Sequence, residues 1–464
     1  MFSNILKFLI IFYSINSFAS WNGARNVFEK GKRSDKLKGL IVELVHGGNY
    51  FSALPLIKEY LIKETKNLDS KMDSALSQII KAVGVKQFET LPLKFLVRSK
   101  SDNVRYIIAK KYLRTRNYSK AISYLRNISP GHEVYPFGKN MEATIYSIQG
   151  LRSKALETFK QCEVASSKRV DINRNRGLRI NRDYCIAGLA RTEFGSKQYE
   201  NSDLLYLDVS KSSMIWPEIL FEEAWNSYYQ KNYNRSLGKL VSYKAPVFQH
   251  IFNPEIEVLS ALSYLKLCLF QDAKKISNNF YSDNWKDFKR LNTYLKRNKN
   301  NLGRFYELVT KHEQFGKAPS RLIEKMLKSI EGDQAFRDLK KQLNRGSIEY
   351  TNVRGQSSSR FKTFVLKNLQ ESIYSHKKII GAYIKSKMIS YYGQMYKAFE
   401  GMSYIKLEVL AQRKAKLYSF DDSKRERGDI EYIQRNEKQY FWDFNGEFWA
   451  DELGDYVFAL KSEC

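Results

Sequence analysis

Short side chains recur at fixed intervals along the first 280 residues. Ala109 and Ala121 are twelve residues apart, and Ala143 and Ala155 repeat that interval 34 residues further on. A 34-residue period with short side chains at matched points predicts pairs of α-helices, each burying its apolar face on its neighbours. Two helices approach to about 8–10 Å only where the facing side chains are small. The spacing therefore predicts a stack of helix hairpins.

The same spacing continues downstream. Three further pairs of small residues stand twelve apart, namely Ala190 with Ser202, Ala224 with Ser236, and Ala261 with Ala273. An aromatic residue precedes the second member by three positions in four of the five units, at Tyr118, Tyr199, Tyr233 and Phe270. Weaker copies around residues 49–53 and 87–91 bring the number of units to about seven.

This pattern, over roughly residues 40–279, resembles the tetratricopeptide repeat family. The resemblance implies an all-α fold with a right-handed α-solenoid of about seven helix hairpins. The apolar spacing further along the chain predicts that a long-helix C-terminal region follows it. It also implies that the first helix of each hairpin lines a concave protein-binding surface. The residues that would face a partner are Tyr106, Lys110, Arg114, Arg191, Phe221, Trp225, Tyr228 and Tyr229. Basic and aromatic side chains suit an acidic peptide; alternatively, the aromatic rings pack between repeats.

Composition and periodicity divide the chain into six segments. They are a signal peptide over 1–19, divergent repeats over 20–100, core repeats over 101–283 with a basic insertion over 166–183, a charged helical linker region over 284–360, a long helix or helical hairpin over 361–420, and an aromatic and acidic tail over 421–464. In the fifth segment, apolar residues recur mostly at steps of three or four. Gly381, Gly393 and Gly401 leave open a bend or a split into two helices.

Aromatic residues and carboxylates alternate between Tyr440 and Tyr456. A helix would put Asp443, Glu447 and Asp451 on one face, where carboxylates are able to act as acids or bind a hard cation. The interpretation we favour is that the aromatic side chains dock this tail against the basic repeats, with its carboxylates pairing with lysine and arginine.

The N-terminus predicts export. The apolar run of residues 8–15 is too short to span a bilayer, and Ser17, Phe18 and Ala19 form a small-x-small cleavage site. The alternative is an uncleaved anchor. We therefore expect a periplasmic or outer-membrane-associated protein.

The chain has 78 Lys and Arg against 49 Asp and Glu, a formal net charge of +29. Export and the even spread of lysines argue against a nucleic-acid partner. Two explanations remain. One is biased residue usage with lysines on solvated helix faces, and the other is attraction to an anionic cell wall or outer-membrane surface.

Four cysteines, Cys162, Cys185, Cys268 and Cys464, allow three disulfide connectivities in an exported chain. We favour pairing Cys162 with Cys185, which would close the basic insertion. That leaves Cys268 and Cys464, whose bond would tie the C-terminus to the last repeat.

A second resemblance rests on three stretches: Trp216–Tyr229, the Asn253-Pro254-Glu255-Ile256 repeat, and the ending from Phe444 to Cys464. Together they look similar to the exported tetratricopeptide component of the deltaproteobacterial gliding-motility machinery. This resemblance implies a non-catalytic scaffold in a multiprotein envelope complex.

Enzyme signatures are few. The five histidines (His46, His132, His250, His312, His376) fit no metal spacing, and the sequence contains no GxSxG, P-loop or GxGxxG motif. We expect no catalytic residue, no metal and no cofactor. The alternatives are a cell-wall lytic enzyme with Glu447 or Glu452 as its acid, and a protein that binds peptidoglycan or lipid through its charge.

Overall fold

The computed structural model describes residues 20–31, 35–168, 175–415, 430–431 and 433–464, and they form an all-α protein, as the sequence predicts. The expected signal peptide over 1–19 lies outside the described residues, as do residues 169–174 of the basic insertion and 416–429 at the start of the tail.

The first ten helices precede the basic insertion. They are α1 (20–30), α2 (Lys36–His46), α3 (Tyr50–Lys63), α4 (Ser70–Val83), α5 (Lys86–Glu89), α6 (Leu93–Leu96), α7 (Asp102–Arg114), α8 (Tyr118–Arg126), α9 (Tyr135–Ile148) and α10 (Arg152–Ser167).

The remaining elements follow it. They are α11 (Arg176–Gly195), α12 (Tyr199–Tyr206), α13 (Trp216–Tyr229), α14 (Tyr233–Val241), two 3-10 turns (Ser242–Lys244, Pro246–Phe248), α15 (Glu255–Lys266), α16 (Phe270–Arg297), α17 (Leu302–Phe315), α18 (Arg321–Gly332), α19 (Gln334–Arg354), α20 (Arg360–Ala415), β1 (Trp442–Asp443) and β2 (Tyr456–Val457).

The chain forms two compact units, each built from separate stretches of sequence. Unit 1 combines the residues up to Gly138 with Gln334–Tyr383, and unit 2 combines Lys139–Asp333 with Ile384–Cys464. Each unit therefore needs residues from the C-terminal third of the chain to complete its core.

The short side chains picked out by the sequence lie where neighbouring helices touch. All ten are completely buried: Ala109, Ala121, Ala143, Ala155, Ala190, Ser202, Ala224, Ser236, Ala261 and Ala273. Consecutive helices such as α13 and α14, or α15 and α16, pack against each other at these points. A larger side chain there would push the two helices apart.

The charged region after α16 is helical. Gly316 ends α17 in a left-handed conformation at φ 63°, which glycine adopts at no steric cost. Gly346, by contrast, lies inside α19, where a Cβ atom would come within 2.9 Å of the Phe51 ring. Gly346 therefore allows close packing against Phe51 and does not interrupt the helix.

Residues 360–415 form one continuous helix, α20, of 56 residues, so the hairpin left open by the sequence is not present. Gly381, Gly393 and Gly401 all lie within it. Gly401 has a packing role, because a Cβ there would lie 3.0 Å from Cγ1 of Val258 on α15. At about 1.5 Å per residue, such a helix is roughly 84 Å long.

A buried glutamate completes the core of unit 1. Glu349 on α19 accepts hydrogen bonds from the backbone N–H groups of Phe51 (2.9 Å) and Ser52 (2.8 Å), and from the Ser52 hydroxyl (2.6 Å). These N–H groups belong to the first turn of α3, where a helix has no internal acceptors for them. Burial nevertheless raises the pKa of Glu349 to about 7, against the opposing effect of the hydrogen bonds.

The described tail, residues 433–464, contains turns and two short strands but no helix, so Asp443, Glu447 and Asp451 do not share a helical face. Strand β1 pairs in parallel with β2, with Trp442 opposite Tyr456. Gly446 and Gly454 have φ values of 105° and 91°, outside the helical range. These two glycines allow the chain to reverse direction where a helix would have continued.

The predicted docking of this tail is confirmed within unit 2. Phe444, Phe448 and Tyr456 pack with Trp216 and Leu220 of α13 in one hydrophobic cluster. Lys211 pairs with Asp455 at 2.6 Å, and the Arg235 guanidinium lies 5.2 Å from the centre of the Phe441 ring. Both apolar burial and charge therefore hold the tail in place.

Two disulfides are formed, Cys162–Cys185 and Cys268–Cys464, the same two pairs that the sequence analysis favours. The first joins α10 to α11 across the basic insertion. The second joins Cys464 at the end of the tail to Cys268 in the turn before α16. This bond attaches the end of the tail covalently to unit 2.

Candidate protein-binding surface

The predicted basic residues of unit 1 share one carboxylate of the same unit. Lys110 pairs with Glu89 at 2.6 Å, and Arg114 forms an ion pair with the same carboxylate. Burial of Glu89 opposes its ionisation, but the two cations outweigh burial and lower its pKa. Tyr106 is half-buried beside them, and burial raises its pKa to about 12. One negative charge therefore compensates half of the positive charge expected at this point.

Arg191 in unit 2 is held in the same way. Its guanidinium lies 2.7 Å from carboxylate oxygens of both Glu218 and Glu222 on α13. Tyr184 and Tyr206 donate hydrogen bonds to these carboxylates, at 3.1 Å each. Burial raises the pKa of both phenols, so they remain donors at neutral pH. The network joins α11, α12 and α13 and leaves little of the arginine for a partner.

The predicted aromatic residues of α13 pack among the helices. Phe221, Trp225 and Tyr228 lie partly buried against a small cluster formed by Ala224, Leu240 and Leu259. This is the packing between repeats that the sequence analysis kept as the alternative for these rings.

Tyr229 is half exposed, and its ring stacks on Tyr199 at 5.6 Å with an interplanar angle of 11°. Of the eight predicted residues, Tyr229 and Arg114 keep the largest accessible surface. A partner would therefore meet Arg114 on unit 1 and the Tyr229 ring on unit 2, each considered by itself.

In unit 2, the second half of α20 packs against α16. The Ser277 hydroxyl donates to the Met402 carbonyl at 3.1 Å, and the Tyr281 hydroxyl donates to the Phe399 carbonyl at 3.0 Å. Phe399 lies 4.9 Å from Phe280, between ring centres. Together with the close approach of Gly401 to Val258 of α15, these contacts show that the second half of α20 covers parts of α15 and α16.

Sequence reasoning did not find the partners of its own site residues. Glu89, Glu218 and Glu222 carry no motif, and their distances along the chain from Lys110 and Arg191 are set by the fold. A usable signal was present for α20, since Met388, Met395 and Met402 recur every seven residues on its buried side.

No model of a known protein family matches the chain, and no curated protein is found similar to it. Among the described residues, no helix has the length and apolar character needed to cross a bilayer. In the same residues, no group of three or more His, Cys, Asp or Glu side chains is placed to hold a metal ion.

Proposed function

We propose that this protein is an exported, non-catalytic scaffold that mediates protein–protein interactions in a bacterial envelope complex. The observation that carries the proposal is the pair of disulfides, which use all four cysteines of the chain. Disulfides persist in oxidising compartments and are rare in the reducing cytosol. They agree with the export expected from residues 1–19, and they suit a periplasmic or outer-membrane-associated location.

The scaffold we propose is a right-handed α-solenoid of about seven tetratricopeptide-like hairpins. Support comes from the turns between paired helices, where one residue in each has a positive φ. These residues are Gly48, Gly84, Arg116, Gly150, Lys197, Lys231 and Cys268. Steps of 34 residues separate Arg116 from Gly150 and Lys197 from Lys231. The step between Gly150 and Lys197 is longer by thirteen residues, the length that the basic insertion would add.

The resemblance to the exported component of a gliding-motility machinery suggests what such a scaffold assembles. Under this proposal the protein holds other envelope proteins together, and the pairing of Lys110, Arg114 and Arg191 with internal carboxylates serves rigidity. Repeat proteins with rigid, internally paired surfaces lose little conformational freedom when they bind.

The test combines localisation, thiol chemistry and partner capture. Full-length protein is expected in the envelope fraction, with no cysteine open to alkylation before reduction and with defined proteins retained after gentle solubilisation. A variant without residues 1–19 serves as the control and is expected in the cytoplasm. A full-length protein found in the cytoplasm with four alkylated cysteines would overturn the proposal.

A second candidate, direct binding to cell wall or membrane, is favoured by the net charge of +29. Purified protein that pellets with peptidoglycan or lipid but captures no protein would support this candidate over a scaffold.

A further inference from the structure

An open cleft in unit 2 lies between α14, α15, α16 and α18. Its volume is about 900 Å³. Half-buried apolar side chains form its floor, among them Ile251, Ile256, Tyr264 and Ile276. A cleft of this size, with an apolar floor and a polar rim, has the character of a ligand or peptide site.

Cationic side chains converge on the rim of this cleft from three separate parts of unit 2. Lys244 follows α14, Lys275 lies on α16, and Arg321 and Lys325 lie on α18; all four are exposed. Within the described parts of the chain, none of the four forms an ion pair or a side-chain hydrogen bond. Arg191 and Lys110, in contrast, are held by carboxylates at 2.6–2.7 Å. The cleft therefore presents positive charge that the fold does not use.

The acidic residues of the rim are fewer or already engaged. Glu324 pairs with Lys328 at 2.7 Å. Asp283 accepts a hydrogen bond from the Ser282 hydroxyl but keeps its charge, and Asp272, which also lines the cleft, has an interaction of its own. Glu257 remains, and partial withdrawal from solvent raises its pKa despite Lys325. The unpaired cations thus outnumber the unpaired carboxylates on this rim.

The polar groups of the cleft favour a peptide over a lipid headgroup. Gln249 and Asn279 line the rim and carry amides that both donate and accept hydrogen bonds, as a peptide backbone requires. Glu257 and Asp283 would repel the closely spaced phosphates of a lipid surface. A peptide can place N–H groups against these two carboxylates and its own carboxylates against the lysines and arginine.

We propose that this cleft is the docking site for an acidic, amphipathic peptide segment of a protein partner. The apolar side chains of the bound segment contact the floor at Ile256 and Tyr264. The carboxylates of the segment pair with Lys275, Arg321 and Lys325. The inference rests on the proposed scaffold function and names the kind of partner segment that the scaffold holds. It differs from the surface predicted by the sequence, whose cations are compensated internally.

The experiment selects binders from a library of random dodecapeptides on the full-length, disulfide-intact protein. We expect the enriched peptides to combine Asp or Glu with large apolar residues. A fluorescein-labelled copy of the best peptide is then titrated by anisotropy against wild type and a Lys275→Glu, Lys325→Glu variant. Loss of two charge-assisted contacts should weaken its binding by about tenfold or more. Enrichment of peptides without acidic residues, no enrichment, or unchanged affinity in the variant would overturn the proposal.

A matched control separates the cleft from net charge. Lys154 and Lys160 are exposed on α10 of the same unit, so a Lys154→Glu, Lys160→Glu variant makes the same change in net charge away from the cleft. It should bind the peptide as wild type does, with an unchanged melting temperature in both variants. Equal weakening in both variants would show that binding follows net charge and would contradict the cleft as the site.

Two further readouts identify which idea fails. Phosphatidylglycerol vesicles are titrated in parallel, and binding of vesicles but not peptides through Lys275 and Lys325 would make the cleft a lipid site and overturn the peptide proposal. Envelope proteins that co-purify equally with wild type and the Lys275→Glu, Lys325→Glu variant would leave the scaffold function intact while removing this cleft from it.

Discussion

At the scale of single residues, docking of the tail depends on the absence of a side chain at position 238, which is glycine. Gly238 lies on α14, and a Cβ atom built there would be 1.7 Å from the Tyr456 carbonyl oxygen. No such contact is sterically possible, so β2 is able to approach the helix only because residue 238 is glycine. The Asn234 carbonyl, one turn earlier, accepts a hydrogen bond from the Phe458 N–H at 3.2 Å and fixes the same approach.

We predict that Gly238→Ala lowers the stability of unit 2 by about 1–3 kcal/mol, the usual cost of forcing extra volume into a packed contact. Thermal unfolding and limited proteolysis of the tail measure the effect. Gly195→Ala is the matched control, because a Cβ at the end of α11 meets nothing within 4 Å. A Gly238→Ala protein with wild-type stability and a protected tail would contradict this packing.

The raised pKa of Glu349 predicts how the stability of unit 1 depends on pH. Its pKa is about 7 in the folded protein, above that of an unfolded glutamate, so the folded state binds the extra proton. The contribution of this protonated carboxyl to the free energy of unfolding is therefore fully present below about pH 4.5. It is lost as pH rises through 7, by roughly 3 kcal/mol at most.

A Glu349→Gln variant isolates this effect, since it keeps one acceptor oxygen but does not titrate. Free energies of unfolding of wild type and variant are compared at several pH values between 5 and 8. We expect wild type to lose stability relative to the variant as pH rises. Parallel curves would show that the folded and unfolded states bind this proton equally.

At the scale of elements, Phe399 is the centre of an aromatic cluster between α20 and α16. Its ring centre lies 4.9 Å from that of Phe280, 5.0 Å from Phe288 and 5.2 Å from Trp285. Such clusters combine a large buried apolar area with favourable edge-to-face contacts. Phe399 therefore contributes strongly, beside buried residues such as Met395 and Met402, to the packing of the C-terminal half of this 56-residue helix.

We predict that Phe399→Ala destabilises unit 2 by about 3–5 kcal/mol, as expected when a buried phenylalanine is removed. Tyr396→Ala is the control, because Tyr396 is half exposed one turn earlier and should cost about 0.5 kcal/mol or less. Hydrogen exchange of α20 distinguishes local detachment from global unfolding. Similar stability losses in the two variants would contradict the anchoring role of Phe399.

Most helices were predictable from the sequence, for a local reason. The ten short residues mark contacts between consecutive helices, and consecutive helices meet whatever the rest of the chain does. The packing of α19 and α20 was not predictable, because it joins residues such as Ser52 and Glu349 that are 297 positions apart. Nothing in the local pattern encodes that pairing.

The candidate surface shows the same division. The type of each side chain is known from the sequence, so basic and aromatic positions on the first helices of the predicted hairpins could be selected as a group. It does not give the carboxylate that each cation meets. Arg191 is 27 residues from Glu218, and Lys110 is 21 residues from Glu89, distances that only the packing of helices converts into contacts.

The tail was half predictable. Its aromatic residues indicated docking, which occurs, while the spacing of Asp443, Glu447 and Asp451 suggested a helix that the structure replaces with two short parallel strands. Glycines at 446 and 454, with φ values that other residues rarely adopt, decide between the two.

At the scale of the whole molecule, the net charge of +29 makes a prediction about surfaces. Exposed charges more than a Debye length apart, about 10 Å at 0.1 M salt, are largely screened from each other. We predict that the purified protein pellets with peptidoglycan sacculi at about 20 mM salt and is released by about 0.5 M. Pelleting that does not change with salt would contradict attraction driven by net charge.

The discontinuous make-up of both units has a consequence for how the protein is made. A chain is synthesised, and under our proposal exported, from its N-terminus onward, so Ser52 emerges long before the glutamate that accepts its hydrogen bonds. Unit 1 stays incomplete until α19 has been synthesised, and unit 2 stays incomplete until α20 and the final cysteine have been synthesised. Contacts so distant in sequence slow folding, because the intervening loop must close first. A premature stop codon anywhere before residue 334 would therefore leave neither unit whole, instead of yielding one intact half.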